Sequence, residues 1–218
     1  MMWSICSSKG GVGASVLAAT LAIESARTSE VLLVDLDGDQ PDILGVETPE
    51  LGLRDWLRSD ADGESIENLT VPVGSRLRLL AAGEGDATDV SRLAALLPQF
   101  RVSPIVIFDV GVANAEPFSM QSMVMAASDR TSLVIRACYV ALRRAQRLHL
   151  EPHDTVEVVE GGRALTTADL EGALGLPVTA RVPVDPHIAR AVDAGMLLHR
   201  RPRSLRRCAQ DLIGQVAP

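Results

Sequence analysis

Trp3-Ser4-Ile5-Cys6-Ser7-Ser8-Lys9-Gly10-Gly11-Val12-Gly13-Ala14-Ser15-Val16-Leu17-Ala18-Ala19-Thr20-Leu21 decides how the chain is read. Residues 3–7 form a short buried strand, 8–13 a glycine-rich turn, and 14–21 the opening of an apolar helix. Strand, glycine loop and helix in that order make a phosphate cradle: glycines let backbone N–H groups converge on an anion, and the helix N-terminus adds about half a positive charge. Ser15, one residue into the helix, is placed to ligate Mg²⁺. The plainer alternative is a glycine turn that only joins strand to helix.

The common phosphate-loop pattern G-x-x-x-x-G-K-[ST] is broken twice, by Ser8 at the first glycine and by Ala14 at the lysine. The stretch resembles the deviant loop of the MinD/ParA superfamily, K-G-G-x-G-K-[ST], with Lys9 as its extra lysine. The missing lysine at 14 and the wording Gly10-Gly11-Val12-Gly13-Ala14-Ser15 are most similar to the CpaE/TadZ branch, associated with positioning pilus-assembly machinery.

The 218 residues suit one domain, 1–218, of α/β class: a doubly wound, mostly parallel sheet with helices on both faces. Apolar residues make up 47% and aromatics 3%, so Ala, Val and Leu must build the core, as in a helix-covered parallel sheet. A net charge of −7 argues against nucleic acid as a general partner. Cys6, Cys138 and Cys208 are widely spaced, which suits a reducing cytoplasm and offers no metal pattern, and Cys6 and Cys138 read as small core residues. No signal-type leader and no apolar run of about 18 residues occurs, so the expected location is cytoplasmic, with any membrane contact peripheral at the inner face.

Along the chain, Val31-Leu32-Leu33-Val34-Asp35 is an apolar run closing on a carboxylate, and Ile105-Val106-Ile107-Phe108-Asp109 repeats the device. An acidic loop, Leu36 to Asp42, follows the first at the strand end where open α/β sheets bind ligands. Further expectations are a short helix from about Leu51, a loop from Ser59 to Asn68, a strand at Leu77–Ala81, and a helix capped by Asp89 and stopped by Pro98. Val110-Gly111-Val112 reads as a loop. Next come a helix over 117–127, a strand at 133–135, a helix over 140–150, strands at 155–159 and 178–182, a helix from Pro186 to about Ala194, and a terminal helix over 204–216.

Phosphoryl transfer needs amide donors, a metal held by a hydroxyl and a carboxylate, and a group that orients water. Gly10, Gly11, Val12 and Gly13 supply amides, Ser15 the hydroxyl, and Asp35, Asp37 and Asp109 the carboxylates. Strand-end aspartates that merely cap loops are the plainer reading of Asp35 and Asp109. The resemblance implies ATP with Mg²⁺, held at Ser15, Asp35 and Asp109, with Asp37 aligning the attacking water and the Gly111 amide meeting the γ-phosphate. It also places Gly161-Gly162-Arg163 and Pro183-Val184-Asp185 near the adenine. Lys9 would act in trans across a nucleotide-sandwich homodimer, or nucleotide would be held within one subunit with little hydrolysis. Without a lysine at 14, weak or absent turnover is expected, since losing one charge-stabilising group typically costs about 10²–10³ in rate.

Arg136 to Arg144 resembles a stretch of CpaE-like chains and offers a partner surface or a solvated helix face. Arg200, Arg201, Arg203, Arg206 and Arg207 cluster near the C-terminus. MinD ends in an amphipathic membrane helix, but the stripe Leu205, Cys208, Ala209, Leu212, Ile213 and Val216 reads as a helix docked on the sheet, leaving the arginines as a face for an anionic partner. His149 and His153 make no convincing zinc pair across Pro152. The expected function is an ATP-binding, dimerising positioning factor with protein partners in a localised assembly. The alternatives are a nucleotide-free scaffold and a membrane-cycling ATPase.

Overall fold

Side chains of the central strands alternate between two apolar layers, and this alternation fixes the architecture. In β1 (Met2–Ser7), Trp3 and Ile5 enter one layer while Met2 and Cys6 enter the other; in β2 (Val31–Asp35), Val31 and Leu33 oppose Leu32 and Val34. The first layer is covered by α1 (Ala14–Ser25), α2 (Gln40–Leu44), α8 (Pro186–Asp193) and α9 (Arg203–Gly214). The second is covered by α3 (Leu53–Arg58), α4 (Val90–Phe100), α5 (Met120–Ala127), α6 (Tyr139–Arg147) and α7 (Thr167–Leu174). The computed structural model describes residues 1–85, 90–114, 116–148 and 151–216.

The remaining strands are β3 (Thr70–Pro72), β4 (Leu77–Leu80), β5 (Ile105–Val112), β6 (Arg130–Arg136), β7 (Asp154–Val159) and β8 (Val178–Pro183). They form one sheet in the order β3-β4-β2-β5-β1-β6-β7-β8, parallel except for the β3–β4 pair. This is the expected doubly wound, mostly parallel sheet. β1, the strand that feeds the glycine loop, lies between β5 and β6.

Several local expectations are corrected. Pro98 does not end α4, which runs on to Phe100 because the Phe100 ring is buried edge-on against Phe108, with centroids 5.4 Å apart. A proline in the last turn breaks little, since the helix there is already closing with i→i+3 bonds such as Arg101 N–H to the Pro98 carbonyl. Val110-Gly111-Val112 is strand, because β1 slips register between Ile5 and Cys6 and Gly111 takes φ 65 to follow it. The polar stretch after α3 contains a 3₁₀ turn, Glu64–Leu69, and leads into the edge strand β3, which the sequence reading missed. α5 starts at Met120, not 117, with Ser119 as the cap that accepts the Ser122 N–H. The cap expected at Asp89 and the His149 half of the histidine pair lie outside the described residues; His153 accepts the Thr131 N–H at Nδ1, 3.0 Å away.

α9 docks as expected: Leu205, Cys208, Ala209 and Leu212 are buried in the layer that also holds α1. The buried Glu24 of α1 clasps it, accepting from Arg201 Nε at 3.0 Å and Gln210 Nε2 at 3.2 Å. Arg201 is therefore an internal ion-pair partner and not part of a free cationic face. Cys6 and Cys208 are fully buried, and burial pushes both thiols up to about 12; Cys138 is only half-buried. Among the described residues no helix is long and apolar enough to cross a membrane.

Candidate functional site

The glycine loop reaches α1 through two left-handed residues, Gly11 (φ 73) and Gly13 (φ 95), the second standing as the helix N-cap without any side-chain cap. A Cβ would strain both positions, and the uncapped first turn leaves its N–H groups free for an anion. A cleft of about 600 Å³ opens over this turn, lined by Gly10, Gly11, Gly13, Ala14 and Ser15, with Asp37 and Gly111 across from them. Ser8 is withdrawn: its hydroxyl donates to the Ala141 carbonyl at 2.8 Å. Lys9, the only lysine of the chain, is exposed and forms no ion pair among the described residues.

Asp35 does not face this cleft as a free ligand. Its Oδ1 accepts the Asp37 and Gly38 N–H groups at 3.0 and 2.7 Å, and its Oδ2 accepts the Gln40 N–H at 3.1 Å. Both oxygens thus help to fold the acidic loop, and Asp35 is not among the residues lining the cleft. Burial raises its pKa, and the three backbone amides pull it back down.

Asp109 is fully buried beside it. Burial pushes the carboxyl up to about 7; hydrogen bonds from Gln40 and Ser15 oppose the shift, and the Asp35 and Asp37 charges add to it. Gln40 Nε2 donates to Asp109 Oδ2 at 2.7 Å and to the Ser15 carbonyl at 2.9 Å. The Gln40 Oε1 has no partner although it is buried. Gly111 donates its N–H back to Asp109 Oδ1 at 3.2 Å, so that amide faces a carboxylate here. A Cβ at Gly111 would fall on the Asp37 carboxyl, which accounts for the glycine. Burial, then the Asp39 charge, raises the pKa of Asp37, while Arg54 opposes.

The residues fit a metal–nucleotide group in one respect and strain it in another. The Ser15 hydroxyl and Asp109 carboxyl lie together, and an orphaned buried oxygen, Gln40 Oε1, sits with them. No three His, Cys, Asp or Glu side chains converge as a metal cage among the described residues, so phosphate and water would complete the shell. The strain is charge: Asp39, Asp42 and Asp193 also line the cleft, and Ala14 brings no cation.

Beside the cleft lies an apolar slot of about 240 Å³ between Gly11–Gly13 and the C-terminal ends of β6, β7 and β8, walled by Val134, Val158, Val182 and Ile188. Pro183 and Asp185 line it. Arg163 does not; it pairs with Glu160, which also lies 3.9 Å from Arg136. Arg136 itself donates to the Gly11 carbonyl at 3.1 Å and so fixes the loop from β6. Asp39, Gln40 and Asp42 belong to the acidic loop that the sequence singled out, without individual roles there, whereas Arg136 and Asp193 were not read as site residues. The acidic loop's place after β2 was the available signal for its three residues; Arg136 ends β6 and Asp193 ends α8.

No family model and no curated protein matches this chain. Solved structures do. A ParA family ATPase from Chlorobium tepidum TLS superposes with a TM-score of 0.81 at 20% identity, over 99% of both chains. A chain of the MinC:MinD cell division protein complex from Aquifex aeolicus gives 0.81 at 20%, over 100% of this chain and 97% of that one. The septum site-determining protein MinD complexed with Mg-ADP from Pyrococcus horikoshii OT3 gives 0.81 at 19%, over 99% and 95%. At such identities the likeness speaks of architecture alone: the chain has the fold of the MinD and ParA ATPases.

Proposed function

We propose that the protein is an ATP-binding, dimerising switch of the CpaE/TadZ type, a positioning or assembly factor with weak or no ATP hydrolysis. The observation that carries this is the junction at Gln40, where the phosphate-loop helix, the acidic loop and β5 meet through one side chain bonded to Ser15 and Asp109. A nucleotide in the cleft would take the N–H groups of Gly10, Gly11, Val12 and Gly13, and Ser15 with Asp109 would hold Mg²⁺, which neutralises phosphate charge. Asp37, over Gly111, would orient water, and Pro183 with Asp185 would border the base. Arg163 would act only indirectly, through Glu160 and Arg136. Lys9, exposed and unpaired, is free to reach a second subunit's phosphates. Protein partners in a localised assembly follow from the same reading, with peripheral membrane contact a lesser element, since the apolar stripe of α9 is buried.

A nucleotide-free scaffold is favoured by a different observation, the four aspartates lining a cleft that has lost its loop lysine. Calorimetric titration with Mg-ATP and Mg-ADP, with light scattering to follow dimerisation, separates the two. Binding with dimerisation on ATP supports the switch, and no binding at millimolar nucleotide leaves the scaffold. Loss of ATP-dependent dimerisation in Lys9→Ala is expected if Lys9 works in trans.

A further inference from the structure

On the far side of α8 from the glycine loop, a second cleft of about 700 Å³ lies between that helix and residues 200–204. His187, Arg190 and Ala191 of α8 line it, facing Arg200 and Arg203. The neighbouring Val192 and Asp193 line the glycine-loop cleft instead, so α8 is a wall common to both.

The charge in this cleft is unbalanced. Arg190, Arg200 and Arg203 form no ion pair among the described residues. The carboxylate present, Asp185, is committed: it accepts the His187 N–H at 2.9 Å and the Ser204 hydroxyl at 3.2 Å. Arg201 is committed to Glu24 at 3.0 Å. Three unpaired guanidiniums therefore share one concavity on a chain whose net charge is −7.

Helix electrostatics accounts for Arg190 alone, which stands in the last turn of α8, where the dipole favours a cation. Arg203 opens α9, where the helix dipole disfavours cations, and no acid stands in that first turn. Glutamine at these exposed positions would fold as well. Residues that break a local rule without a structural return mark functional sites.

The shape narrows the ligand. The cleft has the volume of a small-molecule pocket, roughly 300–1,000 Å³. Ala191, Met196 and Pro202 give it an apolar side, against which a flat ring can lie with a guanidinium or the His187 ring stacked over it. Guanidiniums bind phosphate oxygens in pairs. A duplex is too wide to enter, and a bilayer needs an apolar anchor that the buried stripe of α9 does not offer.

We propose that the cleft between α8 and residues 200–204 is a second ligand site, for a nucleoside phosphate. This goes beyond the glycine-loop reading and does not depend on it.

The test is the stoichiometry of Mg-ADP binding to the full chain by calorimetry, for wild type and for Arg190→Ala with Arg203→Ala. Two sites falling to one in the variant are expected, the second weakened about a hundredfold, roughly tenfold per guanidinium. A single wild-type site that the variant loses also supports the cleft and sinks the glycine-loop reading. A single site that the variant keeps overturns the cleft and leaves the loop reading standing, and no site overturns both. Arg190→Gln with Arg203→Gln replaces the alanine pair if that pair fails a thermal melt. Co-sedimentation with anionic phosphatidylglycerol vesicles, or binding to duplex DNA, lost in the variant while Mg-ADP stoichiometry is unchanged, would overturn the proposal in favour of a lipid or nucleic-acid face.

Discussion

Gln40 and Asp109 are 69 residues apart in sequence, yet the Gln40 Nε2 lies 2.7 Å from Asp109 Oδ2 and closes the acidic loop onto β5. The same nitrogen holds the Ser15 carbonyl of α1. One carboxamide thus ties together three segments that each border the candidate site, and its removal should be felt in all of them.

Gln40→Ala should destabilise the protein by about 1–3 kcal/mol, the cost of leaving a buried acceptor without its donor. Urea denaturation followed by circular dichroism reads this directly. Because the Gln40 hydrogen bond holds the Asp109 pKa down, the variant should also move the Asp109 titration upward. An unchanged midpoint would mean the bond contributes nothing net.

Stability should depend on pH with a sign set by Asp109. Its carboxyl titrates near 7 when folded and near its ordinary 3.8 when unfolded, so between those values the folded state keeps a proton that the unfolded state has lost. Unfolding releases that proton. The contribution of Asp109 is therefore fully present below about pH 4, is lost as pH rises through about 7, and levels off above, while Asp55 and Asp129, whose pKa values are lowered, contribute with the opposite sign. Asp35 and Asp37, raised like Asp109, contribute with the same sign as it does. Asp109→Asn should flatten much of the slope in metal-free denaturation curves, and a slope unaltered by that substitution would assign it elsewhere.

Two left-handed glycines should respond differently to alanine. Gly45 (φ 69) caps α2, and a Cβ there would overlap the backbone carbonyl of Gly195, which no rotamer change can relieve. Gly11 (φ 73) has nothing within 4 Å of that position. Gly11→Ala should cost about 1–2 kcal/mol for conformation alone. Gly45→Ala should add a further ~1–3 kcal/mol of overpacking and loosen α2. Thermal melts of the two variants side by side make the comparison.

Leu212 is fully buried under α9, so Leu212→Ala should cost about 2–5 kcal/mol. Deleting residues 203–218 should expose the layer around α1 and unfold the domain. A truncated chain that melts like the full one would show instead that α9 is a detachable tail.

Ala14→Lys should return the missing phosphate cation to the loop. Ala14 lines the cleft, and Mg-ATP affinity should rise more than Mg-ADP affinity. Hydrolysis, if the other groups are in place, should rise by roughly 10²-fold. A variant that folds and binds triphosphate no better would favour the scaffold reading.

Much of the fold was legible because its signals are local. A continuous apolar run of strand length closing on an aspartate, such as Val31–Asp35, reads as a strand buried on both faces, and the helical spacing of Leu205, Cys208, Ala209 and Leu212 reads as one apolar stripe. The glycine loop likewise announced itself, since left-handed backbone at Gly11 and Gly13 asks for glycine whatever surrounds it. Where propensity was weak, packing decided. Polar Thr70–Pro72 became strand by pairing with β4, and Pro98 stayed helical because Phe100 had a ring to meet. Asp35 and Asp109, identical in pattern at the ends of their runs, were given opposite work by their surroundings: three backbone amides fold around the first, while the second is left buried beside Ser15. The sequence by itself determined a doubly wound sheet with a glycine cradle at its centre, because periodicity and backbone stereochemistry are written residue by residue. Only the tertiary structure decided that Gln40 joins the cradle, that Arg163 turns away from it, and that three arginines face one another across a second cleft, because hydrogen bonds and fields act through space between segments whose separation along the chain carries no signal.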